Sequence, residues 1–462
     1  MLKRILISLL LVASIAAQNA GAQTASPQTR KPKSLPAAAP ASHSNAAAAA
    51  SNETIALKGG KLLTITHGVI ENGVVVMHNG RITAVGGAGT AIPSGAKVID
   101  VTGMTVYPGL IDSETHLGLT EISAERMTND QIEMSDEIMP HMHVYDAFHA
   151  ETTLIPVTRI NGITNAIVAP ASGDTLPGQD SFIQLAGASA TEMLTVRDIA
   201  MPLNFTGAQR RNQSFEQAKF PFTRMGMATQ LRQAFIDALD YDQKLVAYEK
   251  KKSSSDEKEK DKAGNPPKRD LKLEALLPYL HGKKPVVLAA EQSNDLLTAL
   301  DLANEFHLKV ILNHVTHSAA LLDKIAATGL PVIVGPIYEQ PKESERYDAV
   351  FSMPAQLAKR GVKIAFASYD SHQARNLPYA AGYAEAFGLP ADEALKALTI
   401  NPAQMWGVDK DLGSLEVGKM GNVVVANGDP LDVKTDVKHV FIQGQEIPLV
   451  NKQTQLRDQY WK

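Results

Sequence analysis

The stretch that decides the fold is residues 284–329, KPVVLAAEQSNDLLTALDLANEFHLKVILNHVTHSAALLDKIAATG. Two apolar runs, residues 284–290 and 308–314, lack the polar alternation of half-exposed strands, which is typical of parallel strands covered on both faces. Two amphipathic stretches follow them, residues 293–306 and 318–329, with the periodicity of helices. The order therefore predicts a β-α-β-α series.

Two more apolar runs, LPVIVGP at residues 330–336 and VKIAFAS at residues 362–368, extend the series. An α/β fold of this kind, a (β/α)8 TIM-like barrel, would carry its functional residues at the carboxyl ends of the strands. An open, doubly wound parallel sheet is the structural alternative.

The two ends of the folded chain have a different sequence pattern. Short β-branched runs broken by Asn-Gly and Gly-Gly turns occupy residues 53–106, and similar runs return in residues 408–450. We predict that these segments pair into one small β-sandwich, which leaves residues 107–407 for the barrel. Within the barrel, the charged stretch 248–270 is predicted to be a solvated insertion.

The first 22 residues have the pattern of a cleavable export signal. Lys3 and Arg4 precede an apolar run, and the small-residue triplet Ala20-Gly21-Ala22 marks a cleavage site. The apolar run is shorter than the ~20 residues that span a bilayer, which argues against a membrane anchor. Residues 23–52, rich in Ala, Pro and Ser, are predicted to be a disordered tether, and the mature protein is expected to be periplasmic or secreted.

Composition narrows the class of protein. Hydrophobic residues make up 44% and charged residues 20% of the 462-residue chain, which are ordinary globular values. The absence of cysteine excludes disulfides, thiolate metal ligands and a cysteine nucleophile. The formal charge of -4 and the lack of a basic patch argue against a nucleic-acid partner. After signal cleavage, no membrane partner is expected either.

Several motifs, in order, resemble the amidohydrolase superfamily, with the greatest likeness to its imidazolonepropionase-like, secreted bacterial branch. They are VYPGLIDSETHLGL, GITNAIVAPASGDTLPGQ, KPVVLAAEQSNDLLTALDLANEF, LNHVTH, FASYDSHQARNLPYAAGYAEAFGLPADEALKALTINPAQMWGV and LGSLEVGKMGNVVVANGDPL. The resemblance implies a metal-bearing barrel and hydrolysis of an amide or cyclic amide C–N bond in a small substrate. It also implies metal ligands on strands 1, 4, 5, 6 and 8.

Matched residue by residue, the resemblance implies four site residues. The paired strand 1 histidines of the family correspond to Glu114 and His116, which lie on one face of a strand because they are two residues apart. Strand 6 supplies His314, and strand 8 supplies Asp370 as a ligand and as the proton acceptor for the attacking water.

Two other ligand positions depart from the family pattern. The strand 5 histidine corresponds to Ala289, and the strand 4 lysine falls at Leu203 by a loose alignment. No lysine lies anywhere between Lys97 and Lys219, so a carboxylated lysine cannot bridge two metal ions unless strand 4 lies later in the chain. A dinuclear site is therefore not expected.

A single metal ion remains a hypothesis. Glu291 lies two residues beyond the strand 5 position, on the same face of the strand, so its longer side chain is a candidate replacement ligand. With Glu114, His116 and Asp370 it would form an oxygen-rich site for one zinc or manganese ion.

Other histidines are weaker candidates for residues of the site. His141 and His143 have the spacing of a ligand pair without the strand 1 context, so a lid or surface role is the preferred interpretation. His317 and His372 follow the strand 6 and strand 8 positions and are candidates for substrate contact.

Two classes of function stay open. One is a working hydrolase with a rebuilt single-metal site; the other is an inactive paralogue that binds a small molecule or acts as the partner subunit of an active amidohydrolase. The loss of three expected ligands, at Glu114, Leu203 and Ala289, favours the second class mechanistically. A homodimer is a habit of the family.

Overall fold

A computed structural model describes five parts of the chain: residues 53–133, 135–205, 221, 223–342 and 344–461. The predicted signal and tether, residues 1–52, lie outside these described residues. In the described parts, no helix is both long enough and apolar enough to cross a membrane.

The first of two large sheets contains strands from both ends of the folded chain. Its strands are β1 Ile55–Leu63, β2 Val69–His78, β3 Arg81–Gly86, β4 Lys97–Asp100, β5 Thr105–Pro108, β14 Val423–Ala426, β15 Val437–Ile442 and β16 Gln445–Ile447. Their order in the sheet is β16-β15-β14-β5-β1-β2-β3, with β4 paired to β1. The first and last segments meet where β5 and β14 pair antiparallel, with Tyr107 opposite Val424. Buried clusters around Leu57 and Val76 stabilise the sheet. That the sheet forms a sandwich stays a prediction.

The second sheet is barrel-like and contains eight strands in sequence order, β6 to β13. The four apolar runs of the sequence become β10 to β13, as predicted. The strands are β6 Leu110–Thr115, β7 Ile163–Val168, β8 Asp180–Gln184, β9 Leu194–Asn204, β10 Val286–Gln292, β11 Val310–His317, β12 Val332–Val334 and β13 Ile364–Phe366.

One strand departs from the predicted (β/α)8 pattern. β8 runs antiparallel to both of its neighbours, β7 and β9, whereas every other neighbouring pair in this sheet is parallel. The prediction of eight parallel strands is therefore wrong at β8. The physical reason is that antiparallel neighbours need no helical crossover, so the short connection from β7 to β8 suffices.

The two edges of the barrel-like sheet approach each other just after β13. The backbone N–H of Tyr369 donates to the carbonyl oxygen of Glu114 at 3.0 Å, and the N–H of Ser368 donates to Oδ1 of Asp112 at 2.9 Å. These bonds join β6 to the segment after β13, which excludes the open-sheet alternative.

The α-helices of the described residues mostly pack against the outside of this sheet, except the two that bury no residue, Glu257–Asp261 and Lys452–Tyr460. The helices are α1 Val144–Ala147, α2 Leu154–Arg159, α3 Ala190–Met193, α4 Arg224–Lys252, α5 Glu257–Asp261, α6 Leu271–Leu280, α7 Ser293–Glu305, α8 Leu322–Thr328, α9 Ala349–Lys359, α10 Leu377–Ala386, α11 Ala391–Lys396, α12 Ile400–Met405 and α13 Lys452–Tyr460. The charged stretch 248–270 contains the end of α4 and all of α5, and its side chains are mostly exposed.

The interior of the barrel-like sheet is marked by one buried cluster that takes a residue from every strand. These residues are Ile111, Ile167, Phe182, Ala200, Val287, Ile311, Ile333 and Ala365. A larger cluster on the outer face joins the alternate strand residues to the covering helices, for example Leu288 to Leu296 of α7. Where the ladder is regular, a strand side chain can therefore be assigned to the interior or outer face by its register with these residues; the ladder is irregular along β6, between Leu110 and Thr115.

Candidate active site

Four of the predicted site residues lie at or beyond the carboxyl ends of their strands. Glu114 is the penultimate residue of β6, His116 follows β6, His314 lies in the second half of β11, and Asp370 lies four residues beyond β13. This is the face of the barrel-like sheet at which a barrel enzyme carries its chemistry.

Glu114 reaches across the interior. Its Oε2 accepts a hydrogen bond of 2.5 Å from Nδ2 of Asn313, on β11, although β6 and β11 are not neighbouring strands. Burial raises the pKa of the Glu114 carboxyl to about 8, and the charge of Asp112 adds to the shift.

Asp112 is a second buried carboxyl on β6. Burial raises its pKa to about 7, while hydrogen bonds from the hydroxyl and backbone N–H of Ser368 oppose the shift. Oδ2 accepts the hydroxyl bond at 2.5 Å and Oδ1 accepts the N–H bond at 2.9 Å. Asp112 thus holds the segment after β13 against β6.

Asn313 connects Glu114 to the aromatic part of the site. Its Oδ1 accepts bonds from the Tyr369 hydroxyl at 2.6 Å and from the His314 backbone N–H at 2.8 Å. The ring of Tyr369 stacks on the ring of His314, with centroids 4.6 Å apart and planes 29° apart. Both stacked residues have a left-handed backbone, with φ of 53° and 68°, a strained conformation for residues other than glycine that clusters at functional sites.

His116 has a defined neutral tautomer. Its Nδ1 lies 2.9 Å from the carbonyl oxygen of Ala169; because a carbonyl only accepts, Nδ1 carries the hydrogen. Burial lowers the pKa of the ring, and the Ala169 bond and the nearby Asp370 carboxylate only partly offset that effect. The other nitrogen, Nε2, is left with a lone pair.

His314 is also a neutral imidazole. Burial and the neighbouring His116 ring lower its pKa to about 4, and a hydrogen bond to the backbone of Gly335 acts in the opposite direction. Its Nδ1 is buried and has no hydrogen-bond partner among the described residues. A buried ring nitrogen without a partner marks a place where a ligand could bind.

Asp370 is the accessible acid of the site. Its side chain is 46% exposed. Oδ1 accepts the backbone N–H groups of His372 at 2.5 Å and Gln373 at 2.8 Å, and the hydroxyl of Thr115 donates to the Asp370 carbonyl at 2.6 Å. These bonds fix the residue and leave Oδ2 outside them.

The fourth strand of the barrel-like sheet is β9, and its register corrects the predicted strand 4 position. Leu203 pairs with Leu288, and both belong to the outer cluster against the helices, so Leu203 does not face the interior. The interior residue at this level is the next one, Asn204, which lies opposite Ala289. Its Nδ2 donates to the carbonyl oxygen of Asp174 at 2.7 Å.

Ala289 lies where the family pattern led us to expect it, on β10. It pairs with Asn204 on one side and Asn313 on the other. Two carboxamide residues therefore flank a position whose side chain is a single methyl group.

The charged groups that act on Glu291 are not residues of the site. The groups that act on its pKa, which burial raises, are Glu339, Lys342, His317 and Asp295. His317 is buried, with Nδ1 2.7 Å from Oε2 of Glu345 and Nε2 3.5 Å from Oε2 of Glu339. The part of Glu291 as a replacement metal ligand stays a prediction.

The other candidate histidines are His141, His143 and His372. His141 and His143 line a cavity of about 320 Å³ formed with the loops after β6 and β7. His143 Nδ1 lies 2.7 Å from Oδ1 of Asp198. His372 Nε2 lies 3.0 Å from the carbonyl oxygen of Glu121.

Sequence reasoning missed four residues, namely Asp112, Asn313, Tyr369 and Asp180, a buried acid at the start of β8. Asn313 and Tyr369 each immediately precede a predicted site residue, but nothing local announces their bonds across the interior. Asp180 did carry a signal: it is an acid at the start of the apolar run DSFIQL.

Comparison with known proteins gives the same family that the motifs suggested. The amidohydrolase family model matches residues 292–447. An amidohydrolase from Thermotoga maritima MSB8 superimposes with a TM-score of 0.77 at 28% identity, covering 85% of this chain and 99% of that one. The chain is therefore similar to amidohydrolases both in sequence and in fold.

Curated relatives in the superfamily are more distant or match over less of the chain. The amidohydrolase tasK of Hapsidospora irregularis is 26% identical over 400 residues, which is 80% of this chain but only 39% of the relative. A 5-methylthioadenosine/S-adenosylhomocysteine deaminase of Thermoanaerobacter pseudethanolicus is 32% identical over 108 residues, or 21% of this chain and 25% of the relative. The chain thus spans well under half the length of these curated relatives.

Members of the amidohydrolase superfamily are typically metal-dependent, so the donors of this chain need to be tested against a metal ion. Nε2 of His116 and Nδ1 of His314 are two nitrogen donors, and a protein metal site needs three or four ligands. Within the described parts of the chain, no group of three or more His, Cys, Asp or Glu side chains is placed to hold a metal ion. The described donors therefore do not fit a metal ion with three protein ligands.

Proposed function

We propose that this amidohydrolase-superfamily chain hydrolyses an amide or cyclic amide C–N bond of a small substrate at the carboxyl-end face of its barrel-like sheet. The observation that supports this most directly is the placement of Asp370 against the end of β6, near His116. An accessible carboxylate, fixed by backbone bonds, lies near a neutral imidazole that has a free lone pair.

The proposed reaction uses these two groups. The lone pair of His116 Nε2 orients a water molecule, and Asp370 accepts a proton from that water as its oxygen bonds the substrate carbonyl carbon. Asp370 then returns the proton to the substrate nitrogen as the C–N bond breaks. The products are a carboxylic acid and an amine, and both residues return to their starting protonation states.

The test is hydrolysis of a panel of dipeptides and cyclic amides by the purified chain, beside the Asp370→Asn variant. A positioned proton acceptor contributes ~100-fold or more to the rate, so the variant should lose at least that factor with no change in melting temperature. Equal rates in both proteins would exclude Asp370 from the chemistry.

A second candidate function has its own support. Glu114 and Asn313 form a hydrogen bond with each other in the interior. The part of tasK that matches this chain lies within a much longer chain. Both observations suit an inactive paralogue that binds a small molecule or serves an active amidohydrolase as its partner subunit. Failure of the whole panel, together with a sedimentation shift on mixing with an active family member, would favour this function.

The finer proposals about metal and location rest on the sequence. One zinc or manganese ion would require a third protein ligand, for which Glu291 is the candidate. Export to the periplasm or beyond rests on residues 1–22, and N-terminal sequencing of the exported protein should begin at residue 23. A mature chain that starts at Met1 would contradict export by cleavage.

A further inference from the structure

Asp180 faces the interior of the barrel-like sheet at its active end. It is the first residue of β8, and because β8 is antiparallel to its neighbours, its first residue lies at the carboxyl ends of the parallel strands. Phe182, two residues further on, belongs to the interior cluster, as does Ala200, which lies opposite Asp180 on β9. Alternation along the strand therefore points the Asp180 carboxyl inward.

This carboxyl is buried and incompletely bonded. Asp180 is 2% exposed, and its Oδ1 has no hydrogen-bond partner among the described residues. A buried acceptor without a donor destabilises the folded state. Such a group persists where function requires it, because folding alone would favour its replacement.

A second carboxyl faces the same space. Glu114 lies on β6, one strand removed from β8, and strands two apart in a sheet are separated by roughly 10 Å. Its charge acts on Asp180: burial raises the pKa of Asp180 well above its ordinary value, and Glu114 raises it further. The two inward side chains therefore share one region of the interior.

The described residues supply no positive charge to these carboxyls. No arginine or lysine of the described chain contributes to the pKa of Asp112, Glu114 or Asp180. The hydroxyl and N–H of Ser368 satisfy Asp112, and Asn313 satisfies one oxygen of Glu114. Asp180 Oδ1 is the acceptor left for a donor that the described residues do not supply.

We propose that Asp180, with Glu114 beside it, binds the positively charged amine of a small substrate and so selects amino-acyl amides over uncharged amides. An ammonium group brings both the hydrogen-bond donors that Oδ1 lacks and the positive charge that the buried carboxyls lack. This inference rests on the proposed hydrolase function, since it names the substrate class of the same site. An inorganic monovalent cation is the other source of the same charge.

The experiment measures binding separately from turnover. Isothermal titration calorimetry of the Asp370→Asn protein would compare L-alaninamide hydrochloride, uncharged N-acetyl-L-alaninamide and potassium chloride at equal ionic strength. The same titrations follow in the Asp180→Asn variant of that protein. The matched control is Asp198→Asn, on the neighbouring strand β9, because its carboxylate is already paired with His143.

The expected result is binding of alaninamide alone, weakened about 10-fold or more by Asp180→Asn and unchanged by Asp198→Asn. Equal binding of the acetylated compound, equal binding of potassium, or unaltered affinity in Asp180→Asn would each overturn the proposal. If Asp180→Asn does not fold, Glu114→Gln provides the second test, with the same weakening expected and unaltered affinity again overturning the proposal.

Hydrolysis separates this inference from the proposed function. Binding of alaninamide through Asp180, with no hydrolysis of any amide by the unsubstituted chain, supports the amine site and contradicts the hydrolase. Hydrolysis of amides at equal rates with and without a free amine, unaffected by Asp180→Asn, contradicts the amine site and supports the hydrolase.

Discussion

Nδ2 of Asn313 donates a hydrogen bond of 2.5 Å to Oε2 of Glu114 across the interior of the barrel-like sheet. In the family pattern the position of Glu114 is a metal-binding histidine; here it is a buried carboxyl held by a carboxamide. The Tyr369 hydroxyl completes the chain of bonds at 2.6 Å. The centre of this site is therefore a hydrogen-bonded network of Glu114, Asn313 and Tyr369.

Asn313→Ala should destabilise the protein by about 2–4 kcal/mol, because it leaves both the Glu114 carboxyl and the Tyr369 hydroxyl buried without their partner. Tyr369→Phe should cost less, about 1 kcal/mol, since Asn313 Oδ1 keeps the bond from the His314 N–H. Urea unfolding of both variants measures the difference. Equal costs would mean that the Glu114 bond contributes nothing.

Stability should fall as the pH rises from about 6.5 to about 8. The folded pKa of Glu114, about 8, lies above its value in the unfolded chain. The stabilisation is therefore complete below the unfolded pKa and is lost as the pH rises through the folded one. Asp112, with a folded pKa of about 7, acts in the same direction. Linkage makes the loss from Glu114 on the order of a few kcal/mol.

The histidines set the lower limit of that pH window. The pKa of His314 is lowered to about 4, so its contribution is present above the ordinary histidine value of 6.5 and is lost as the pH falls toward 4. Between pH 6.5 and 8 the carboxyls alone should govern the slope. Urea unfolding at four pH values should show that slope flattened in Glu114→Gln, and an unchanged slope in that variant would refute the assignment.

His116 should stay in its Nδ1–H tautomer from pH 6 to 8, because its Nδ1 donates to Ala169 and burial lowers the ring pKa. Nitrogen NMR of the histidine-labelled chain distinguishes the two tautomers and the charged ring. The signal of His149, whose side chain is 62% exposed, serves as the reference for a ring in contact with solvent. A His116 signal that becomes that of a charged ring between pH 6 and 8 would contradict the buried neutral ring.

Local sequence patterns were sufficient for much of the fold. The four apolar runs became β10 to β13, and both chain ends joined one sheet, because periodicity and turn residues are local properties. The orientation of β8 escaped prediction, although its short connection to β7, with Gly and Pro turn residues and no helical pattern, was a usable signal.

The site was harder to predict, for two physical reasons. An alignment that slips by one residue moves a strand side chain to the opposite face, so Leu203 was placed where Asn204 lies. The Asn313–Glu114 bond joins residues 199 positions apart, and no local pattern encodes such a contact. His116, His314 and Asp370 were predicted from family motifs, which, unlike periodicity, carry long-range information.

The most direct test of the central claim is elemental analysis of the purified chain, dialysed without chelator, beside a His116→Ala/Asp370→Ala double variant. A hydrogen-bonded centre without three metal ligands predicts no stoichiometric zinc or manganese in either protein. About one equivalent of metal, lost in the double variant, would contradict that account and restore the single-metal hydrolase.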